Sequence, residues 1–362
     1  MVSVIIQWLT AFGAVLGGFD LLTGCRLHIG EKFREGLMLL GPTALSMAGI
    51  ICLCPLIGNL LKIVLVPVCG VLGLDAGLLG GIIAIDMGGY PLAMQLAGDA
   101  VIGRFSGILA GSTLGCTLCF TIPMALSLVK KENLDDFISG LVSGLIACPI
   151  GLLAGGLVMQ IPLLTLLRQC APFLLMALLI PLGLRLAGEK TFSFFRGLSR
   201  GIQVLAIAGL MLGIVKKMTG LAVLNCIGSV DEAMAVVSSI GLSLVGMLPL
   251  LELLLPLAKK AAGSREIAGL DSAGLTGLVV SIFTVTPAIP MLNLMNRRSR
   301  ILVTAFMVSS ASLFSAHLAF TIAVDASMAA PLLVCKIAGA FAGLLPAFVM
   351  TRNLSGKKAG SS

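Results

Sequence analysis

Apolar stretches of about 20 residues, the length that crosses a bilayer core of roughly 30 Å as a helix, recur from one end of this chain to the other. They fall near 2–22, 35–58, 76–98, 105–127 and 137–160, then 166–187, 201–223, 233–257, 267–296, 301–324 and 329–351. The composition agrees: 58% of residues are hydrophobic, the mean hydropathy is +1.12, and 11% are charged where about 25% is usual in soluble domains. The pattern predicts an all-α fold, a polytopic membrane helical bundle with about 9–11 membrane segments. No long polar segment exists to form a soluble domain beside it.

The first twenty residues are apolar from Val2 onward and lack a basic leading region and a small-residue cleavage site, so they read as a retained span rather than a signal peptide. The final segment, 353–362, reads as a disordered tail. A net charge of +8 could point to nucleic acid, but the basic residues lie in short clusters between apolar runs, as they do in membrane proteins, and no nucleic-acid partner is expected. Ten cysteines include one CxxC, Cys116 to Cys119. Its neighbours are apolar and no second CxxC exists, so the cysteines read as small buried hydrophobes, with no metal or cofactor implied.

Sliding the chain against itself gives a constant offset of 197 residues, the separation of Glu35 and Glu232. Without a gap the same offset pairs Ala76-Gly77-Leu78-x-Gly80 with Ala273-Gly274-Leu275-x-Gly277, and Ser112 with Ser309. The reading is a first repeat over 1–160, a connecting helix over 161–197 and a second repeat over 198–352.

If every apolar run crosses the membrane, lysine and arginine divide almost evenly between its two sides. If 76–98 and 267–296 are instead re-entrant hairpins, broken at Gly88-Gly89-Tyr90-Pro91 and at Pro287-Ala288-Ile289-Pro290, eighteen basic residues share one side and five the other, with Lys336 inside a span. That is a positive-inside bias, with the N-terminus outside and the C-terminus cytoplasmic. It also makes the repeats antiparallel, the layout of secondary transporters. The apolar segment 59–75 is expected at the interface, because its repeat partner, Lys259 to Ser272, is polar.

Asp86 carries the most functional weight. A carboxylate in a bilayer costs about 2.5–3.5 kcal/mol even on the mildest scale. It is followed by Gly88, Gly89 and Tyr90, the only tyrosine in the chain. The carboxylate can meet a small cation, the glycines can expose carbonyls, and the ring can face an ammonium; an ion pair between Asp86 and Lys336, or a bound metal cation, remains the alternative. The equivalent stretch of the second hairpin offers the hydroxyls of Thr284 and Thr286 but no charge.

The span 105–127 presents a glycine stripe at 103, 107, 111 and 115 for close packing, and on another face Thr113, Thr117 and Thr121. Those threonines either line a polar path or bond their own backbone. Ser310 and His317 share a face of the partner span, where His317 could relay a proton, hold a substrate hydroxyl or rest on a neighbouring carbonyl. Glu35 and Glu232 sit where a helix N-terminus favours an acid. Glu252, deep in a span between Pro249 and Pro256, and Lys336 are possible coupling or structural charges. Lys336 needs a partner, and Asp325, eleven residues away, is too distant along the axis.

Asp86-Met87-Gly88-Gly89-Tyr90 with Leu92 to Gly98 resembles the signature hairpin of the ethanolamine permease family of bacterial ethanolamine-utilization operons. Cys148-Pro149-Ile150-Gly151, Ala154-Gly155-Gly156 and His317-Leu318-Ala319-Phe320, followed by Lys336, are similar to further family patterns in the right order. The resemblance implies ethanolamine uptake across a bacterial inner membrane, Asp86 meeting the ammonium and a Ser, Thr or His317 the hydroxyl. The second hairpin departs from the pattern, with Thr284-Val285-Thr286-Pro287 where a pair of asparagines is expected. The competing expectation is a proton- or sodium-coupled carrier of another small amine or polar solute. A membrane enzyme is disfavoured: there are two histidines and neither HExxH nor Gly-x-Ser-x-Gly.

Overall fold

A computed structural model of the chain describes residues 2–83, 86–221, 226–262 and 269–352. Among them the chain is helical, with no β-strand. The proposed tail at 353–362 lies outside the described residues.

Eight helical runs are long and apolar enough to cross a membrane. Two of them are too long for one crossing: Ile29–Leu72 has 44 residues and Arg297–Thr351 has 55, or about 65 and 80 Å at 1.5 Å per residue. The second of these turns back at Ala326–Met328, where Asp325 Oδ1 accepts a hydrogen bond from the Ser327 amide at 3.0 Å. After the turn, Gly339 lies against Ser309 and Gly343 against the carbonyl of Ala305, so the two limbs run antiparallel.

The helix Gly49–Leu72 passes through Gly58 without a break and stops at Gly73, whose φ of 62° is the left-handed geometry that ends helices. The segment expected as a separate interfacial piece, 59–75, is therefore the far end of a longer helix. Its Ile63, Val64 and Val71 project outward, as lipid-facing side chains do. The expected connecting helix is the first of two helices between Leu163 and Thr219, which meet at a kink where Ala187 leaves helical geometry (φ −134°, ψ 34°).

Helices Ala100–Leu128 and Lys131–Val158 are the most buried and form the centre of the bundle. Their packing depends on missing side chains. A Cβ on Gly151 would lie 2.4 Å from the Cys335 carbonyl, and one on Gly144 would lie 2.6 Å from the Ala305 carbonyl. Backbones touch here, the small-residue packing that lipid favours because apolar burial drives little association within a bilayer. The first helix of this pair is wound with π-type geometry over Phe105–Gly115 and Thr117–Thr121. Of its glycine stripe, Gly103 abuts Ala97 and Gly107 abuts Tyr90, so this face receives the first hairpin.

Both broken segments are hairpins closed at the base by a carboxylate. In the first, Leu78–Ile82 and Gly89–Leu96 lie arm against arm, with Gly80 facing Gly89 and Ala93. Asp75 accepts from the amides of Gly77 (2.6 Å), Gly98 (3.3 Å) and Asp99 (2.8 Å), tying entry to exit. In the second, Ser272–Phe283 and Val285–Met291 are joined through the extended Thr284. Asp271 accepts from Gly274 (2.7 Å) and Asn296 (2.6 Å) in the same way. Asp99 and Asn296, which are related by the 197-residue offset, then cap the helices that follow by accepting from Val101 and Ser299.

Among the described residues, three ion pairs at two aspartates link the halves of the chain. Arg297 and Arg300 reach Asp136 at 2.9 and 2.6 Å, and Arg104 reaches Asp325 at 3.2 Å.

Candidate functional site

The helix Arg297–Ser310 ends at Ala311 (φ −43°, ψ 123°), and Ser312 follows in the left-handed region at φ 51°. Helical structure resumes over Leu313–His317, interrupted by Ser315 (φ −123°, ψ −108°), before Leu318–Asp325. Neither glycine nor proline marks this break in the sequence. The tip of the second hairpin holds it open: the Ser312 amide donates to the Ser281 carbonyl at 3.1 Å, and the Ser315 hydroxyl donates to the Phe283 carbonyl. The rings of Phe283 and Phe314 lie 6.0 Å apart beside these bonds.

A cavity of about 720 Å³ opens over this junction. Ser312, Ser315 and Ala316 of the broken helix line it with Phe283, Thr284, Thr286 and Pro287 of the hairpin tip. The helix beginning at Ile29 adds Lys32, Glu35, Leu39 and Thr43, and Val230–Ala262 adds Leu244, Leu248, Leu251 and Glu252. The walls are thus mainly aliphatic, with hydroxyls from hairpin and break and a pair of acids from two further helices. Glu35 is engaged by Lys32 at 2.6 Å.

A second cavity, of about 460 Å³, touches Met87 at the tip of the first hairpin, with Met47, Ser46, Ser199 and Gln203. Phe120 borders both cavities and is the wall they share.

The structure sorts the residues singled out from sequence into three places. Thr284, Thr286, Glu35 and Glu252 meet at the larger cavity. Gly88, Gly89 and Tyr90 are on the first hairpin, where the Gly89 carbonyl faces Gly80 and the Tyr90 ring packs edge-on against Phe320 at 6.0 Å. The backbone of Asp86 starts the short 3-10 turn Asp86–Gly88, and its side chain lies outside the described residues.

Thr113, Thr117, Ser310, His317 and Lys336 form a third group, buried behind the break. The threonines are turned on their own helix: Thr113 Oγ1 donates to Leu109 O at 2.7 Å, and Thr117 Oγ1 to Thr113 O at 2.8 Å. A second contact of Thr117, at 3.2 Å, reaches the Val308 carbonyl across the helix interface. The Ser310 hydroxyl is buried with no hydrogen-bond partner among the described residues. His317 Nδ1 sits 2.8 Å from the Ala311 carbonyl, and since a carbonyl only accepts, Nδ1 carries a proton. Lys336, fully buried, sends Nζ to the carbonyls of Ser112 (2.7 Å), Ala311 (2.9 Å) and Ser309 (3.2 Å).

Sequence reading missed Phe120 as a cavity residue, and Asp75 and Asp271 as hairpin clamps. For the two aspartates a signal existed, since each stands just before an apolar helix start as capping residues do.

A family model described as "Ethanolamine utilisation protein, EutH" matches residues 2–350. The chain belongs to that family. A relative from Listeria monocytogenes serotype 1/2a (strain 10403S), named "Probable ethanolamine permease EutH", is 32% identical over 98% of this chain and 96% of its own length. A Bacillus subtilis (strain 168) relative, the "Uncharacterized protein YxeR", is 31% identical over 94% and 93%. The Escherichia coli (strain K12) protein, again named a probable ethanolamine permease, is 30% identical over 86% and 82%. No solved structure matches the chain. Family membership and the apolar helices together make this a multi-pass membrane protein of a permease family, not an enzyme.

Proposed function

We propose that the chain imports ethanolamine, as its ammonium cation, across a bacterial inner membrane by alternating access. The observation that carries this reading is the cavity at the second hairpin. A small amino alcohol needs apolar walls of modest size, partners for one hydroxyl and a negative potential for one ammonium. The cavity offers Leu244, Leu248 and Val280, the hydroxyls of Thr284, Thr286, Ser312 and Ser315, and the carboxylate of Glu252 beside the Lys32–Glu35 pair. With a pKa near that of lysine, about 10.4, the amine travels as a cation at neutral pH.

Two antiparallel repeats, each with a re-entrant hairpin, would supply the moving parts. In support, both hairpins are closed at one end by an aspartate, so chain entry and exit lie together, and a broken helix meets one hairpin tip. The second cavity, at the tip of the first hairpin, is separated from the larger one by Phe120, as two alternately opened vestibules would be. Asp86 is proposed as the carboxylate that the ammonium meets between them.

The test is uptake of labelled ethanolamine into proteoliposomes at pH 6, where the amine is charged and leaks little. Wild type is compared with Asp86→Asn and with Thr284→Val. Saturable uptake that disappears in Asp86→Asn supports the cation site. Saturable uptake that survives it removes Asp86 from the site while keeping the permease, and folded wild type that takes up nothing sinks the ethanolamine reading.

A further inference from the structure

We infer that the Lys336 ammonium fills a cradle suited to a small monovalent metal cation, so that this break in the bundle needs no sodium or potassium, and that deleting the amine creates a site for one. The inference stands apart from the choice of substrate.

The cradle follows from the break. A helix that stops inside a membrane leaves its last carbonyls without intrahelical partners, and each such group is costly in an apolar interior. Arg297–Ser310 stops at Ala311, and the carbonyls of Ser309 and Ala311 turn to one point. The neighbouring helix adds the carbonyl of Ser112. Among the described residues, three carbonyl oxygens lie at 2.7, 2.9 and 3.2 Å from Lys336 Nζ, a group with three donors and no acceptor.

The macrodipole places partial negative charge at the C-terminal end of the half-helix, which favours a cation there. Unwound carbonyls and half-helix C-termini are where secondary transporters hold coupling cations. Here the positive charge arrives on a side chain. Lys336 is 0% exposed and sits within the helix Ala329–Thr351, so its amine is deep in the bundle and does not snorkel to an interface.

Tethering changes what the site can do. A free ion binds and leaves as the protein cycles, and its gradient can drive transport. A lysine cannot leave, so at this point the last helix, the broken helix and the helix bearing Ser112 stay joined, and no metal gradient acts through the cradle.

The test is thermal melting of the detergent-purified chain in NaCl, KCl or N-methyl-D-glucamine chloride at equal ionic strength. Wild type is expected to melt at one temperature in all three. Lys336→Ala is expected to melt lower, and to regain about 2–4 °C, saturably, in sodium or potassium relative to the organic cation. Lys336→Met, which occupies the space without charge, should show no such gain. Lys336→Ser serves as a second opened variant if Lys336→Ala does not accumulate. The inference is overturned if wild type is itself saturably stabilised by sodium or potassium, or if the opened variants melt identically in all three salts. An uptake arm needs no variant. Wild-type ethanolamine uptake should persist when both faces hold only the organic cation, and its loss there would also overturn the inference. If no uptake occurs in any salt, the substrate reading fails and the melting result still stands.

Discussion

Asp75 and Asp271 clamp different hairpins with the same geometry. Asp75 Oδ2 lies 2.8 Å from the Asp99 amide, and Asp271 Oδ2 lies 2.6 Å from the Asn296 amide. Each carboxylate also holds an amide at the start of its hairpin, Gly77 in one and Gly274 in the other. Truncating either to alanine strands amides that are otherwise paired. Each unmade bond of this kind costs about 1–3 kcal/mol where the group is shielded from water. Asp75→Ala and Asp271→Ala should each lower the melting temperature of the purified protein, with Asp75→Asn and Asp271→Asn milder because the amide keeps one acceptor oxygen.

Thr284 and Thr286, at the start of the second arm of the hairpin, line the larger cavity. Valine keeps their shape and removes the hydroxyl. A neutral hydrogen bond is worth about 0.5–1.5 kcal/mol, so each of Thr284→Val and Thr286→Val should raise the KM for ethanolamine by about 2- to 10-fold. Concentration-dependent uptake in proteoliposomes measures it, and an unchanged KM in both would move the hydroxyl-recognising group elsewhere.

Glu35 and Glu252 share the cavity but not their circumstances. Glu35 is neutralised by Lys32 at 2.6 Å, whereas no ion pair holds Glu252 among the described residues. Glu252→Gln should therefore weaken cation uptake more than Glu35→Gln does. The difference should shrink as salt is raised, because the Debye length falls from about 10 Å at 0.1 M to about 3 Å at 1 M. Equal effects of the two substitutions would show that the Lys32 pairing does not matter to the approaching cation.

Asp136 and Asp325 anchor unequal ion pairs. Arg300 is 9% exposed beside Asp136, while Arg104 is 41% exposed beside Asp325. Removing Asp136 leaves a buried guanidinium whose remaining partners are the carbonyls of Leu292 and Met295. Asp136→Ala should cost about 3–5 kcal/mol and reduce the yield of folded protein. Asp325→Ala breaks a solvent-screened pair worth at most about 1 kcal/mol and one turn cap worth about as much, and should fold. Yield and melting temperature of the two variants check this.

What could be read from the sequence follows which forces act locally. The apolar helices were legible because apolar run length acts on nearby backbone, but the supposed breakers are helical: Gly89-Tyr90-Pro91 lies in Gly89–Leu96 and Pro287-Ala288-Ile289-Pro290 in Val285–Met291, with the second break at the extended Thr284. The threonine face was visible too, but not where its hydroxyls point. In an apolar surround Thr113 bonds the carbonyl four residues back, within its own helix. The carbonyl partners of Lys336 had no signature in the sequence. Two of them are freed at Ala311, a break that Ala-Ser does not advertise and that contact with Ser281 and Phe283 sustains. A chain break caused by tertiary contact is invisible to any local rule.

The π-type winding of residues 105–115 and 117–121 bears on the wall between the cavities. A π turn closes its hydrogen bond one residue later than an α turn, so the helix carries spare chain, like a coil wound loosely on its axis. Phe120 rides near the far end of that coil. Its angular position is the sum of every turn before it, so the winding of this helix sets where Phe120 stands between the two cavities. The slack and the partition belong to the same length of helix.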